Sequence, residues 1–254
     1  VRQTSLASWL LALATMASLL AAGAGVARAA SAAVAELDVV AYRYHEDPPR
    51  LDRVRDALER DASANADAET LTALSRACFI WGDVRARSAD EKLAAYDRGR
   101  QVGRRAIDLA PRSAAAHFWY ATNTGRWGQT KGVVRSVFLL PEVQREIDTV
   151  IALDPKFTGV YALAGNVYYE VPGFLGGDLA KAEAMFRKGL AQDPRFTGMR
   201  VGLAKTLIKA GRTGEARREL DAVVSETSPT NPADWVVKDA PEARRLLESI
   251  RGKS

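Results

Sequence analysis

The chain has 254 residues, of which 47% are hydrophobic and 26% charged, with a formal charge of +5. That is enough apolar material for one elongated repeat domain or one to two globular ones. The single cysteine, Cys78, excludes an intramolecular disulfide, and a mixed charge with no basic stripe speaks against nucleic acid as a partner.

Residues 1–29 read as a secretory signal. Arg2 supplies the positive start, Trp9 to Leu20 an apolar run, and Ala27-Arg28-Ala29 the small residues a signal peptidase reads. Ala30-Ser31-Ala32 is a second cut, and an uncleaved anchor is the competing reading, since Leu6 to Ala27 is just long enough to span a bilayer. No cysteine stands at the cleavage region, so lipid attachment there is not expected. Loss of Arg2 and Arg28 leaves 34 basic against 31 acidic residues, a charge of +3. The expectation is a periplasmic or secreted protein with no membrane span after cleavage.

Residues 33–62 are expected to form an N-terminal helical segment, with a short helix before Asp47-Pro48-Pro49 and Leu51, Val54 and Leu58 at helical spacing after it. Ser63 to Asp67 reads as a connector. Leu71, Leu74, Ala77, Cys78 and Trp81 mark one face of a helix ending near Gly82. Ser88-Ala89-Asp90-Glu91 has the form of a capping box, in which serine and glutamate satisfy free amides at a helix start. That helix carries Tyr96, Gly103, Ala106 and Ile107 inward and stops at Pro111.

Ser113 opens the next pair with Phe118, Trp119 and Tyr120. Its partner helix is placed from about Pro141 to Leu153, because proline is free of cost in a first turn. Helices end alike at Leu109-Ala110-Pro111, Leu153-Asp154-Pro155 and Gln192-Asp193-Pro194. The intervals between those prolines are 44 and 39 residues, and the excess falls in the turns Arg126 to Leu140 and Val171 to Asp178.

From Phe157 to Val224 one helix-pair pattern is written twice. The first copy has Tyr161, Ala164, Gly165 and Tyr168, then Ala182, Phe186 and Gly189. The second has Leu203, Ala204 and Leu207, then Ala216, Leu220 and Val223. Small residues recur where two helices approach and large ones fill the space beside them. The pattern resembles the tetratricopeptide repeat, a helix-turn-helix of about 34 residues. The resemblance implies an all-α, right-handed superhelix of antiparallel helix pairs over residues 67–224. Residues 225–254 then read as a loop, Ser225 to Asp234, and a final helix begun at Asp239-Ala240-Pro241 that caps the stack.

No constellation in the sequence carries chemistry. Gly173 to Asp178 follows a helix with no strand before it, and Gly125 to Gly132 lacks phosphate-loop spacing; Asp178 is expected to cap the helix from Leu179. His117 has no partner at a persuasive spacing, Cys78 sits on an apolar face, and no metal or cofactor set is present. The chain is read as a non-enzyme whose partner is a protein or peptide. Gly125 to Leu140 combines Arg126, Trp127, Lys131 and Arg135 with valines and Phe138 and has no acid. It is read either as the lining of a site for an acidic or amphipathic ligand or as a helical spur. On the repeat resemblance, Asn166, Tyr169, Lys205 and Lys209 face the groove.

Val167-Tyr168-Tyr169, Gly176-Gly177-Asp178, Lys181-Ala182 and Phe186 resemble the T-component family of tripartite ATP-independent periplasmic transporters. That resemblance implies an accessory to a periplasmic solute-binding protein. His117-Phe118-Trp119, Lys131-Gly132 and Tyr169-Glu170-Val171 are also similar to the regulator of microtubule dynamics proteins. With an export signal in front, this second likeness is read as shared repeat architecture and not shared function.

Overall fold

The computed structural model describes residues 31–252; the expected signal, 1–29, lies outside them. Helix starts follow caps written in the sequence. Helices α1 (Ala32–Arg43) and α2 (Pro48–Ala64) form the first hairpin, with prolines in the opening turn of α2, where no intrahelical donor is lost. Helix α3 (Ala68–Val84) starts on Asp67, whose carboxylate accepts from Thr70 N at 2.7 Å. Helix α4 (Ala89–Leu109) starts on Ser88, which accepts from Glu91 N, while Glu91 accepts in return from Arg87 N. The reciprocal bond lands one residue earlier than a strict capping box would place it. Helix α5 (Ala114–Lys131) starts on Ser113, which accepts from Ala116 N.

Two expected boundaries are corrected. The connector after α2 is shorter than expected, because α2 continues to Ala64. The expected turn Arg126 to Leu140 is helical: α5 runs to Lys131, Gly132 turns the chain at φ 109°, and α6 spans Val133–Leu153 with Pro141 inside it. A glycine reaches that φ at no steric cost, so one residue replaces a loop. The two helices approach closely at Gly128, where a β-carbon would lie 3.2 Å from Leu139 and 3.3 Å from the Ser136 backbone. Pro141 supplies no amide hydrogen for its helix, so the ladder lacks one bond, to the Val137 carbonyl, while the helix continues to Leu153.

Helix α7 (Gly159–Glu170) leads through a short 3-10 turn, Gly173–Leu175, to α8 (Leu179–Gln192). Asp178 caps α8 as expected, accepting from Ala180 N at 2.9 Å and Lys181 N at 3.0 Å. Helices α9 (Thr197–Lys209) and α10 (Thr213–Val224) complete the fourth pair of the repeat series begun at α3. The last helix, α11, opens as Pro232–Asp234, passes through a five-residue π-helical stretch, Trp235–Asp239, and ends as Ala240–Ser249. The expected loop and helix start are therefore corrected too. Asn231 caps the helix by accepting from Asp234 N, and the Asp239 side chain caps nothing. The wider π turn sits just before Pro241, a proline that an ordinary helix interior would not accommodate without distortion.

The result is an all-α superhelix of antiparallel pairs. Its core runs through the stack in three parts. Leu37, Leu51, Leu58, Leu71 and Leu74 fill the N-terminal part, Val143, Ile147, Val150 and Tyr161 the middle, and Phe186, Met199, Leu203, Leu207 and Leu220 the C-terminal part.

Candidate partner-binding surface

In a stack of helix pairs the first helices, here α3, α5, α7 and α9, line the inner face that such proteins use for binding. Helix α11 lies across this face and ties its two ends together. Its first turn buries Ala233 in the N-terminal core. Beside it the Tyr44 hydroxyl donates to Asp234 Oδ1 at 2.7 Å, and Asn231 Nδ2 donates to the Ala41 carbonyl at 3.3 Å. One turn on, Lys238 Nζ bridges Asp83 Oδ2 at 3.0 Å and Asp234 Oδ1 at 2.7 Å, while Arg126 pairs with the other oxygen of Asp83. Thr197 then donates to Asp239 Oδ2 at 2.7 Å, and Lys205 pairs with Glu242 at 3.0 Å.

The charges of this seam are set by their surroundings. The Asp83 side chain is only 11% exposed. Burial pushes its carboxyl up, but Lys238 and Arg126 outweigh it and hold the group below its ordinary value. For Lys238, burial disfavours the charge and Asp83 and Asp234 more than restore it, so its ammonium is held above the ordinary range. Asp239 has the weaker support: burial raises it to about 6, with the Thr197 hydroxyl pulling the other way. Burial and then the Asp234 charge push the Tyr44 phenol up, keeping it a donor.

The residues singled out by sequence fall into two groups. Arg126 points inward to Asp83 and is part of the seam. Trp127 leaves α5 on another side, where Arg100 stacks 4.6 Å from its ring and Lys131 and Arg135 lie at 5.7 Å. On the inner face, Lys209 lies 4.8 Å from the ring of Tyr169 and donates to the Tyr169 carbonyl at 3.1 Å. Lys205 stands beside Glu242 of α11; burial first, then the charges of Glu170 and Glu242, push the Tyr169 phenol up. Asn166 is exposed on α7. Tyr169, Lys205, Lys209 and Glu242 thus form one cluster, and Trp127, Lys131 and Arg135 another.

Asp83, Asp234, Lys238 and Tyr44 were not singled out by sequence, and Asp239 was read only as a helix start. Lys238 and Asp83 are 155 residues apart, and no periodicity links positions at that distance. The Pro232 helix start was the one local signal available.

The remaining polar candidates have structural partners. His117 is buried between Glu146, 2.5 Å from Nδ1, and the Pro111 carbonyl, 3.0 Å from Nε2, which ties the start of α5 to α6. Burial pushes the Cys78 thiol up to about 12, leaving it almost wholly in the unreactive thiol form at neutral pH. Among the described residues no group of three His, Cys, Asp or Glu side chains is gathered to hold a metal.

Residues 35–174 match the family described as regulator of microtubule dynamics protein 1-3, and residues 174–233 match a tetratricopeptide repeat family. Comparison with curated proteins gives no match. Among solved structures, the chain is similar to TTC0263, a thermophilic tetratricopeptide protein of Thermus thermophilus. The two are 19% identical with a TM-score of 0.62, over 87% of this chain and 100% of that one. The MamA RS-1 ArsTM double mutant is a looser likeness, 15% identical with a TM-score of 0.47, over 87% and 99% of the two chains.

Proposed function

This chain belongs to the regulator of microtubule dynamics protein 1-3 family, and from that premise we propose that it is an exported adaptor that holds a protein partner on its inner face. The likeness of His117 to Trp119, Lys131-Gly132 and Tyr169 to Val171 to that family is therefore one of membership. Tetratricopeptide folds serve protein–protein interaction, and the adaptor reading asks for no catalysis.

One observation carries the choice of surface. Helix α11 covers the inner face where it meets α1, α3 and the start of α9, with Lys238 already on Asp83 and Asp239 on Thr197. The stretch on α7 and α9 keeps Asn166 and Lys209 exposed beside Tyr169 and Lys205. Two lysines beside an aromatic ring suit an acidic segment of a partner, which anchors on the ring and pairs with the ammonium groups. Such binding weakens with salt, because the groups are solvated and screened. Export to the periplasm or medium rests on the pattern of residues 1–29. A narrower role, as accessory to a transporter's solute-binding protein, rests on the likeness at Val167 to Tyr169, Gly176 to Asp178, Lys181-Ala182 and Phe186, so the adaptor reading is held without it.

The test places a photo-crosslinking side chain at Asn166 and, as control, at Ala184 on α8. The expected result is one partner linked at 166, absent at 184, and lost in the Lys205→Ala/Lys209→Ala variant at unchanged helical content. Equal linking at both positions, or a partner retained by the double variant, would place the binding surface elsewhere.

A further inference from the structure

We propose that the tip of the α5–α6 hairpin, with the neighbouring turn at Phe174, is a docking edge for an anionic bilayer surface. This goes beyond the adaptor reading and does not depend on it.

The hairpin has a packed inner side and an unpacked outer one. Gly128, Ser136 and Leu139 close it inside. Outside, Val133, Val134 and Phe138 are 70%, 73% and 76% exposed. Val134 and Phe138 are four residues apart on α6, hence on one ridge of the helix. Leaving three large apolar side chains in water at a protruding tip serves no fold, and clusters of that kind mark contact sites.

The charge around the tip selects the surface. Lys131 and Arg135 are exposed beside it, and residues 125–141 contain no Asp or Glu. Trp127 lies at the base among Arg100, Lys131 and Arg135. Apolar side chains flanked by cations, with an indole behind them, are what a headgroup layer of negative charge accepts.

A second tip supports a flat partner over a cleft. In a stack of antiparallel pairs, every turn inside a pair lies on one edge, and every connection between pairs lies on the other. The turn inside α7–α8 is next in line along that edge and presents Phe174, 88% exposed. Its acids are Glu170 and Asp178, of which Asp178 is committed to the start of α8, and Lys181 stands beside them. No helix among the described residues is long and apolar enough to cross a membrane, so the contact is peripheral.

The apolar run at residues 9–20 is able by itself to hold the full chain on any vesicle, so the readout has to be local. Cys78 is buried, which allows a polarity-sensitive fluorophore to be attached selectively in Val134→Cys or, on the opposite edge, in Lys156→Cys. Each labelled chain is mixed with vesicles of phosphatidylcholine alone or of equal parts phosphatidylcholine and phosphatidylglycerol. The expected result is a blue shift, with quenching by a lipid-borne quencher, for position 134 on the anionic vesicles only. Position 156 stays at its aqueous emission. Adding Lys131→Glu and Arg135→Glu should lower the vesicle dependence on the order of tenfold or more. An aqueous signal at 134 on both vesicles overturns the proposal, as does an equal shift at 134 and 156. A shift on phosphatidylcholine as strong as on the anionic mixture overturns the assignment to an anionic surface.

Discussion

Phe186 shows how little room the C-terminal repeats leave. A β-carbon at Gly165 or at Gly202 would lie 2.6 Å from its ring, so one aromatic side chain is seated against backbone from two successive first helices. Gly165→Leu must push the ring or the helix aside. Overpacking costs about 1–3 kcal/mol, and more when backbone has to move. The expected outcome is a melting temperature lowered by several degrees; an unchanged one would contradict the seating of Phe186. Asp239 gives a second test at this scale. Its carboxyl rises from 3.8 to about 6 through burial, so the folded state favours the protonated form. Stability is then highest with the group protonated and falls as pH rises from about 4 through about 6. Asp239→Asn keeps an acceptor for Thr197 and removes the charge, so it should flatten that fall and raise stability at neutral pH. Glu242 works in the other direction. Arg245 and Lys205 bring it from 4.5 to about 2 against the effect of burial, so its contribution is lost as pH falls below 4.5. A series of melting temperatures from pH 3 to 7 separates the two windows; a pH profile identical in wild type and Asp239→Asn would rule out the burial assigned to that carboxyl.

At the scale of elements, the helix pairs were legible wherever the sequence carried its own stop and start. Ser88, Ser113 and Asp178 announce helices, and the Asp-Pro endings close them. Gly165 and Ala204 were recognisable as close-approach positions because small and large residues recur at fixed spacing. The α5–α6 hairpin was half legible. Its composition stood out, but Pro141 suggested a helix start, whereas the turn at Gly132 lets the helix begin at Val133, eight residues earlier. The path of α11 was not legible, because its seam joins residues far apart in sequence through single ion pairs. Of the candidate residues, Arg126 carried the right chemistry and a different address: it holds Asp83 inside the stack, so its removal is expected to loosen α11 as well as any partner. The change of Arg126, Trp127 and Lys131 together to alanine therefore mixes two effects; Lys205 shares that fault through its pair with Glu242 of α11, and Lys209, bonded to Tyr169, is the cleaner test of the inner face.

For the molecule as a whole, the central claim is that its own last helix packs over part of the inner face and leaves the stretch around Asn166 and Lys209 to a partner. Ala233 shares a core with α1 and α3, and Lys238 reaches Asp83, so opening this part of α11 exposes the N-terminal end of the stack. That makes closure a single cooperative event linking residues 31–84 to residues 231–239. Hydrogen exchange of the full chain, in wild type and in Lys238→Ala, measures it most directly. The expected result is that amides of residues 233–239 are protected in wild type as strongly as those of α3. In Lys238→Ala these amides and those of α1 should lose protection together while α7 and α8 keep theirs. Fast exchange at residues 233–239 in wild type would contradict the account, leaving the whole inner face, Asp83 included, open to a partner.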